Sequence, residues 1–289
     1  MTAGFALMEE HLEQPRVPFE DGKVVLSRLA PGRSMIGAPV PSVKMVLDGE
    51  QHYEVEGRAL RLRPGELLYL DAGTDCVGTN RIDTLGLCLM LKLPSVLPVS
   101  AMCGDDEPLL GRAFAFSAHT SPLGHALAAY GRRIANDPAC GHRLAPTMVA
   151  QVGAALAEPL DACRLAAAGL DAAKPSTRRD ILQRLERARA HLHDHLDRNV
   201  ALGELASVAR LSQFHLARYF KRAFGAAPVA YHRALRLERA ARFLSAGRGS
   251  VAQAAELIGY SDAVALSHAF RKHFGVPPQR YAMNARSDS

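Results

Sequence analysis

Two histidines four residues apart, His191 and His195 in "HLHDH", have a spacing that could bind zinc from one face of a helix. No third ligand accompanies them, and a solvated helix face is the better reading. The five cysteines, Cys76, Cys88, Cys103, Cys140 and Cys163, are odd in number, and no two are spaced CxxC. That argues against a disulfide framework or zinc knuckle and fits a reducing cytoplasm. No catalytic set stands out, so no enzyme activity, cofactor or metal is expected. Recognition chemistry is better represented. In "LSQFHLARYFKRAFG", Leu216, Phe220 and Phe224 step by four and mark the buried side of a helix. The opposite side carries Gln213, Phe214, Ala217, Arg218, Lys221 and Arg222. Arginine can form two hydrogen bonds to guanine, glutamine can read adenine, and an aromatic ring can touch a thymine methyl.

The elements that must hold such a face occur twice. "AVALSHAFRKHFG" repeats the pattern fifty residues on: Leu266 for Leu216, Phe270 for Phe220, Phe274 for Phe224, Gly275 for Gly225. Pro278 and Tyr281 repeat Pro228 and Tyr231. In the first unit a short helix over about 202–209 leads through a turn at Arg210–Leu211 to Ser212, a good N-cap. Gly225 stops the second helix, and Pro228 opens a long one to about Ser245. In the second unit a short helix over 251–258 is followed by a turn at Gly259 and a helix over 262–274. A short helix joined to a longer one by a tight turn is the helix-turn-helix, whose second helix enters the major groove.

Charge separates along the chain. Residues 178–289 carry a net +10 and residues 1–177 a net −4, giving +6 overall. Such asymmetry points to a polyanionic partner for the C-terminal part. No run of 18 apolar residues offers a membrane span, and the N-terminus does not read as a secretory signal. The fold class expected is α+β, an N-terminal β-barrel with flanking helices followed by a C-terminal all-α double helix-turn-helix domain. Residues 20–95 hold short strand-like runs such as "KVVLSRL", "SVKMVLD" and "ELLYLDAG" between turn signals, which predicts a barrel or sandwich. Helical faces follow at Leu123, Leu127, Tyr130 and Ile134, then at Met148, Val152 and Leu156. "AAAGLDAAKPST" (166–177) reads as a linker. The expected domains are thus 1–165, the linker 166–177, and 178–289.

Residues 178–283 resemble the DNA-binding domain of the AraC/XylS family of transcription regulators, on "LxxLAxxARLSxxHLxRYFKRAFG", "PxxYxxxLRLERAxxFL" and "IGYSDAxxLSHAFRKHFGVPPxxY". The resemblance implies base-reading positions at Ser212, Gln213, Phe214, Ala217 and Arg218. In the second unit it implies Ala263, Val264, Ala265, Ser267 and His268, with Arg271 and Lys272 on phosphates. It further implies promoter DNA as partner, with a small-molecule effector, a homodimer and RNA polymerase as further partners, and a cytoplasmic location. The N-terminal half resembles the cupin-like sensor domain of this family through "LDGEQHYEVEGRALRLRPGELLYLDAGTDCVGTN". The histidines of a metal cupin are missing, which disfavours the alternative of a cupin-type enzyme fused to a DNA-binding domain. Met45, Tyr53, Tyr69 and Cys76 are the candidate lining of an effector pocket. The helices over 121–160 would serve dimerisation.

Overall fold

The computed structural model describes residues 4–11, 13, 22–38, 40–91, 112–118 and 122–287. Cys103 and Ser121 lie outside the described residues. Strands come first and helices follow, in two compact units, Met1–Ala190 and His191–Ser289. The fold class is α+β, as the sequence predicts.

The first unit contains two sheets. The larger runs in the order β1 (Gly4–Met8), β2 (Lys23–Leu29), β9 (Thr84–Met90), β4 (Ser42–Asp48), β7 (Glu66–Leu70), β10 (Ala113–Ser117). The smaller runs β3 (Gly32–Ala38), β8 (Thr74–Asn80), β5 (Gln51–Val55), β6 (Arg58–Leu62). Only β1 and β2 pair in parallel among the named strands; the other pairs are antiparallel. Among the described residues both sheets are open, so the expected β-barrel is a pair of facing sheets and not a closed ring of paired strands. Turn chemistry sets its hairpins. Glu56 and Gly57, both at positive φ (50° and 71°), form the two-residue connection of β5 to β6. That pair of angles matches the twist of the strands it joins.

Period-two alternation sends one face of each strand into the space between the sheets. Ile36, Val46, Tyr53, Val55, Leu62, Leu68, Leu70, Cys76 and Ala115 form the core there. The outer face of the large sheet is covered by α1 (Pro122–Asn136) and α2 (Gly141–Ala155), which contact β4, β2 and β1. Leu127 and Val152 are buried in this packing. The helical faces expected to await a dimer partner are therefore spent on the unit's own sheet. A Cβ on Gly131 would come within 2.8 Å of the Leu47 methyl groups, so a larger residue there would have to push that side chain aside.

After α3 (Ala157–Ala168) comes α4 (Pro175–Asp194). Residues expected in a linker thus end one helix and begin the next. The division between the units falls within α4, after Ala190, further along the chain than the expected boundary. Gln183 shows why the start of α4 belongs with the sheet. Its amide donates to the Ala115 carbonyl at 3.0 Å and accepts from the Ala115 N–H at 3.3 Å. Ala115 lies on edge strand β10, whose backbone groups α4 satisfies in place of another strand. Glu186, 3% exposed, accepts the next such N–H, from Ser117, at 3.2 Å. Arg189 neutralises it through two nitrogens, the closest approach being 2.6 Å.

Candidate nucleic-acid interface and an interior cavity

The second unit repeats one design. In its first half α5 (Leu202–Ala209) ends at Arg210, a non-glycine residue in left-handed conformation (φ 52°), which turns the chain sharply. Ser212 then caps α6 (Gln213–Phe224), its hydroxyl accepting from the His215 N–H at 3.2 Å. In the second half α8 (Val251–Leu257) begins with a capping box between Ser250 and Gln253, and Asp262 caps α9 (Ala263–Phe274), accepting from the Ala265 N–H at 2.7 Å. That bond holds the Asp262 carboxyl below its usual range. Gly225 and Gly275 terminate α6 and α9 at φ 77° and 78°. Between the halves runs α7 (Pro228–Ser245), about 27 Å long at 1.5 Å per residue. Each half closes on a trio of rings: Phe220, Phe224 and Tyr231 in the first, Phe270, Phe274 and Tyr281 in the second, with centroids 4.4–6.4 Å apart. The last helix is α10 (Pro278–Ser287).

Burial follows the same fifty-residue shift. Leu216, Phe220, Leu266 and Phe270 are fully buried. Ser212, Gln213, Phe214, Arg218, Lys221 and Arg222 are exposed on α6 and its cap, with Ala217 half-buried. On α9, His268, Arg271 and Lys272 are exposed and Ser267 is half-buried. Helices α6 and α9 therefore gather the residues expected from the sequence on two exposed faces. Two of the hydroxyls are already engaged: Ser212 by its cap, and Ser267 by donating to the Ala263 carbonyl at 2.7 Å. The feature that stands out is apolar. Phe214 is 70% exposed and Val264, fifty residues later, is 72% exposed. One exposed hydrophobe is ordinary on a protein surface; what sets these apart is that both occupy the same position of the repeated helix.

The halves are fixed by polar groups that the spacing of apolar residues does not reveal. Arg236 on α7 is buried and donates to the carbonyls of Ile258 (2.7 Å) and Gly259 (2.9 Å), with its guanidinium 4.8 Å from the Tyr260 ring centre. Burial lowers its pKa. A Cβ on Gly259 (φ 65°) would stand 2.1 Å from the Asp197 carbonyl oxygen, so the turn requires glycine twice over. The "HLHDH" residues are not a solvated face. His191 bonds Glu204 (2.8 Å), His193 bonds the Tyr231 hydroxyl (3.1 Å), and His195 bonds the His191 carbonyl (2.8 Å). Hydrogen bonds from Arg198 and then His191 hold the Glu204 carboxyl at about 2. Among the described residues no group of three or more His, Cys, Asp and Glu is placed to hold a metal ion.

A model of a helix-turn-helix domain matches residues 205–284. The MmsAB operon regulatory protein of Pseudomonas aeruginosa is 30% identical over 102 residues, 35% of this chain and 33% of that protein. A putative AraC-like transcription regulator of Streptomyces lividans is 38% identical over 90 residues, 31% of this chain and 30% of that protein. Residues 205–284 are a helix-turn-helix domain of the AraC type. The match spans about a third of the length of these relatives. Among solved structures, the DNA-binding domain of AdpA in complex with a target DNA is similar to the AraC-type region at 29% identity. That similarity covers 36% of this chain and 94% of that one, with a TM-score of 0.35. No helix among the described residues is long and apolar enough to cross a membrane.

The candidate pocket residues of the first unit separate. Met45 and Tyr53 border a cavity between the two sheets. Tyr69 and Cys76 do not. Tyr69 pairs with Val43 and Phe114, on the face of the large sheet opposite Leu68, and donates to Asp71 at 3.3 Å. Cys76 is packed into the core beside Ile36 and Val55. A residue absent from the sequence-based set, Lys44, borders the cavity instead. Its signal is a lone charge in the otherwise apolar centre of "SVKMVLD".

Proposed function

We propose that this chain is a sequence-specific DNA-binding transcription regulator and not an enzyme, with the AraC-type unit reading two adjacent major-groove segments and the β-sandwich unit responding to a small molecule. The observation that carries the reading is the doubled helix-turn-helix, each half presenting an exposed face that ends in two basic residues, Lys221–Arg222 and Arg271–Lys272. The net +10 of residues 178–289 favours a polyanion, and the ordered repeat adds sequence discrimination. In this reading Arg218 and Gln213 meet base edges, Phe214 and Val264 meet thymine methyls, and the basic pairs hold phosphates. His268 takes the place of Arg218 in the second half, so that half reads with shorter polar reach and relies more on DNA shape. A homodimer would use a surface other than the faces of Leu127 and Val152.

Arg218 and Lys221 separate base reading from phosphate holding. Arg218 stands midway between buried Leu216 and Phe220 on the exposed side of α6. A bidentate contact to guanine is worth about 1–3 kcal/mol of discrimination. Arg218→Ala is expected to weaken binding to the selected operator by that amount and to leave random DNA nearly unaffected. Lys221→Ala is expected to weaken both alike. Gel-shift titrations at one salt concentration, with an operator obtained by selection from a random pool, read the difference. Equal losses on both DNAs for Arg218→Ala would remove it from the reading face.

A further inference from the structure

The inner face of the large sheet can be followed residue by residue from edge to edge. Across the strands the register runs Ala6, Val25, Cys88, Lys44, Leu68, Ala115. Lys44 is the only charged member of this row, and it is 7% exposed. Removing an ammonium group from water costs several kcal/mol unless a partner restores the lost interaction. The groups around Lys44 offer little. Its ammonium donates to the Cys88 sulfur at 3.4 Å and lies 5.9 Å from the Tyr53 ring centre. Burial is the largest influence on Lys44 and disfavours its charge; the pull of Cys88, Tyr53 and Cys76, which outweighs it, requires those groups to be ionised. Burial pushes the Tyr53 phenol and the Cys76 thiol up, so both are neutral at neutral pH. The Tyr53 hydroxyl is spent on Gln51, whose amide donates to Asn80 at 2.9 Å. Among the described residues no carboxylate pairs with Lys44.

Lys44 borders the cavity between the sheets, which measures about 30 Å³. That is room for about two or three waters. Its walls include Val25, Ile36, Leu87 and Met90, with the Ser27 hydroxyl as a further polar group. This lining narrows the chemistry of an occupant. One cation in an interior of low polarity matches one negative charge; a dianion such as phosphate would need a second cation. Apolar walls favour a monoanion with a short hydrocarbon body over a fully hydrated inorganic ion. The volume excludes a large ring or long chain without movement of the walls.

We propose that the cavity between the two sheets binds a small monocarboxylate, its carboxylate paired with the Lys44 ammonium and its hydrocarbon part against Val25, Ile36 and Met90. The site deepens the sensing role proposed for the sandwich unit and rests on that reading for its regulatory meaning, though not for binding itself.

The test uses the full chain and four probes: sodium acetate, sodium propionate, and the neutral isosteres acetamide and propionamide. Ligand-observed NMR at constant ionic strength gives saturable binding of the carboxylates and at least about tenfold weaker binding of the amides. Lys44→Met, which preserves length and apolar volume, loses at least about tenfold in carboxylate affinity. Circular dichroism reports whether this variant is folded, and if it is not, the wild-type comparison alone decides. Equal binding of acid and amide, no saturable binding of either carboxylate, or undiminished binding by folded Lys44→Met would each overturn the proposal. A gel shift on the same samples keeps the two readings apart. Protein that binds its DNA but ignores carboxylates loses this site and remains a regulator, whereas failure on DNA strikes the functional reading itself.

Discussion

His232 is 2% exposed on α7 and meets the His195 carbonyl at 2.9 Å. Burial pushes its pKa below the ordinary 6.5, because an imidazolium there would lose its water and face Arg236 and Arg198. The folded chain therefore binds a proton at this site less readily than the unfolded chain. Its contribution to stability is fully present above pH 6.5 and is lost as pH falls from there toward the depressed folded value. Glu204 acts in a separate window. Its carboxyl lies at about 2 instead of 4.5, so its contribution is lost only between those values. Denaturant unfolding of the full chain between about pH 7.5 and about 5.5 is expected to show falling stability, and His232→Gln, which keeps a donor but does not titrate, is expected to flatten that fall. An unchanged slope in the variant would assign the dependence elsewhere. Such residues are poorly legible in sequence. The apolar spacing that marked Leu216 and Phe220 identifies a buried face, but His232, Arg236, Lys44 and Glu186 are buried for reasons that depend on partners 22 to 69 residues away. Exposed residues such as Phe214 and Arg218 were readable because their helix has one apolar side and a cap that fixes its phase.

Helix α4 shows how an element can be right in kind and wrong in allegiance. Its apolar steps from Ile181 to Leu192 predict a helix, and the helix is there. What the steps leave unsaid is that Gln183 and Glu186, three apart, line up with Ala115 and Ser117, two apart on edge strand β10. A helix face and a strand edge can share that spacing, and only the folded register reveals it. Glu186 is the more demanding of the two. Replacing it with alanine removes the carboxylate that Arg189 bonds and the acceptor that the Ser117 N–H meets, in a place that water scarcely reaches. Removing one member of a buried ion pair costs about 3–5 kcal/mol. Glu186→Ala is expected to lower the stability of the first unit by that amount. Glu186→Gln, which can still accept from Ser117, should fall by less. Thermal unfolding of the three proteins gives the order; equal stability of all three would show the pair to be dispensable. The strands were legible for a simpler reason. Alternation and Gly-containing turns fixed their approximate places, but which strands pair follows from contacts between residues far apart in sequence.

At the scale of the whole chain, charge and architecture divide in nearly the same place. The helix-turn-helix repeats and the net +10 lie in residues 178–289, while residues 1–177 carry −4. The compact division at Ala190 moves the first part of α4, with Arg178, Arg179, Arg184, Arg187 and Arg189, into the sandwich unit. Arg189 is committed to Glu186, and Arg184 pairs with Asp180 at 2.9 Å. Arg187 donates to the Gln183 carbonyl at 3.4 Å and Arg178 to the Ala172 carbonyl, so this stretch, engaged within its own unit, adds little to phosphate contact. A fragment of residues 178–289 is therefore expected to bind the operator with the affinity of the full chain in the absence of effector. A fragment of residues 1–177, acidic and without either reading helix, is expected not to bind. Each phosphate neutralised contributes a slope of about −0.9 to log K against log salt concentration. If the DNA contacts come from the AraC-type unit alone, full chain and fragment must give the same slope, because the same phosphates lose their counterions in both. Gel shifts across a salt series measure it. A steeper slope for the full chain by about one phosphate or more would place DNA contacts in the sandwich unit or at the start of α4, and the division of labour drawn from charge would have to be redrawn.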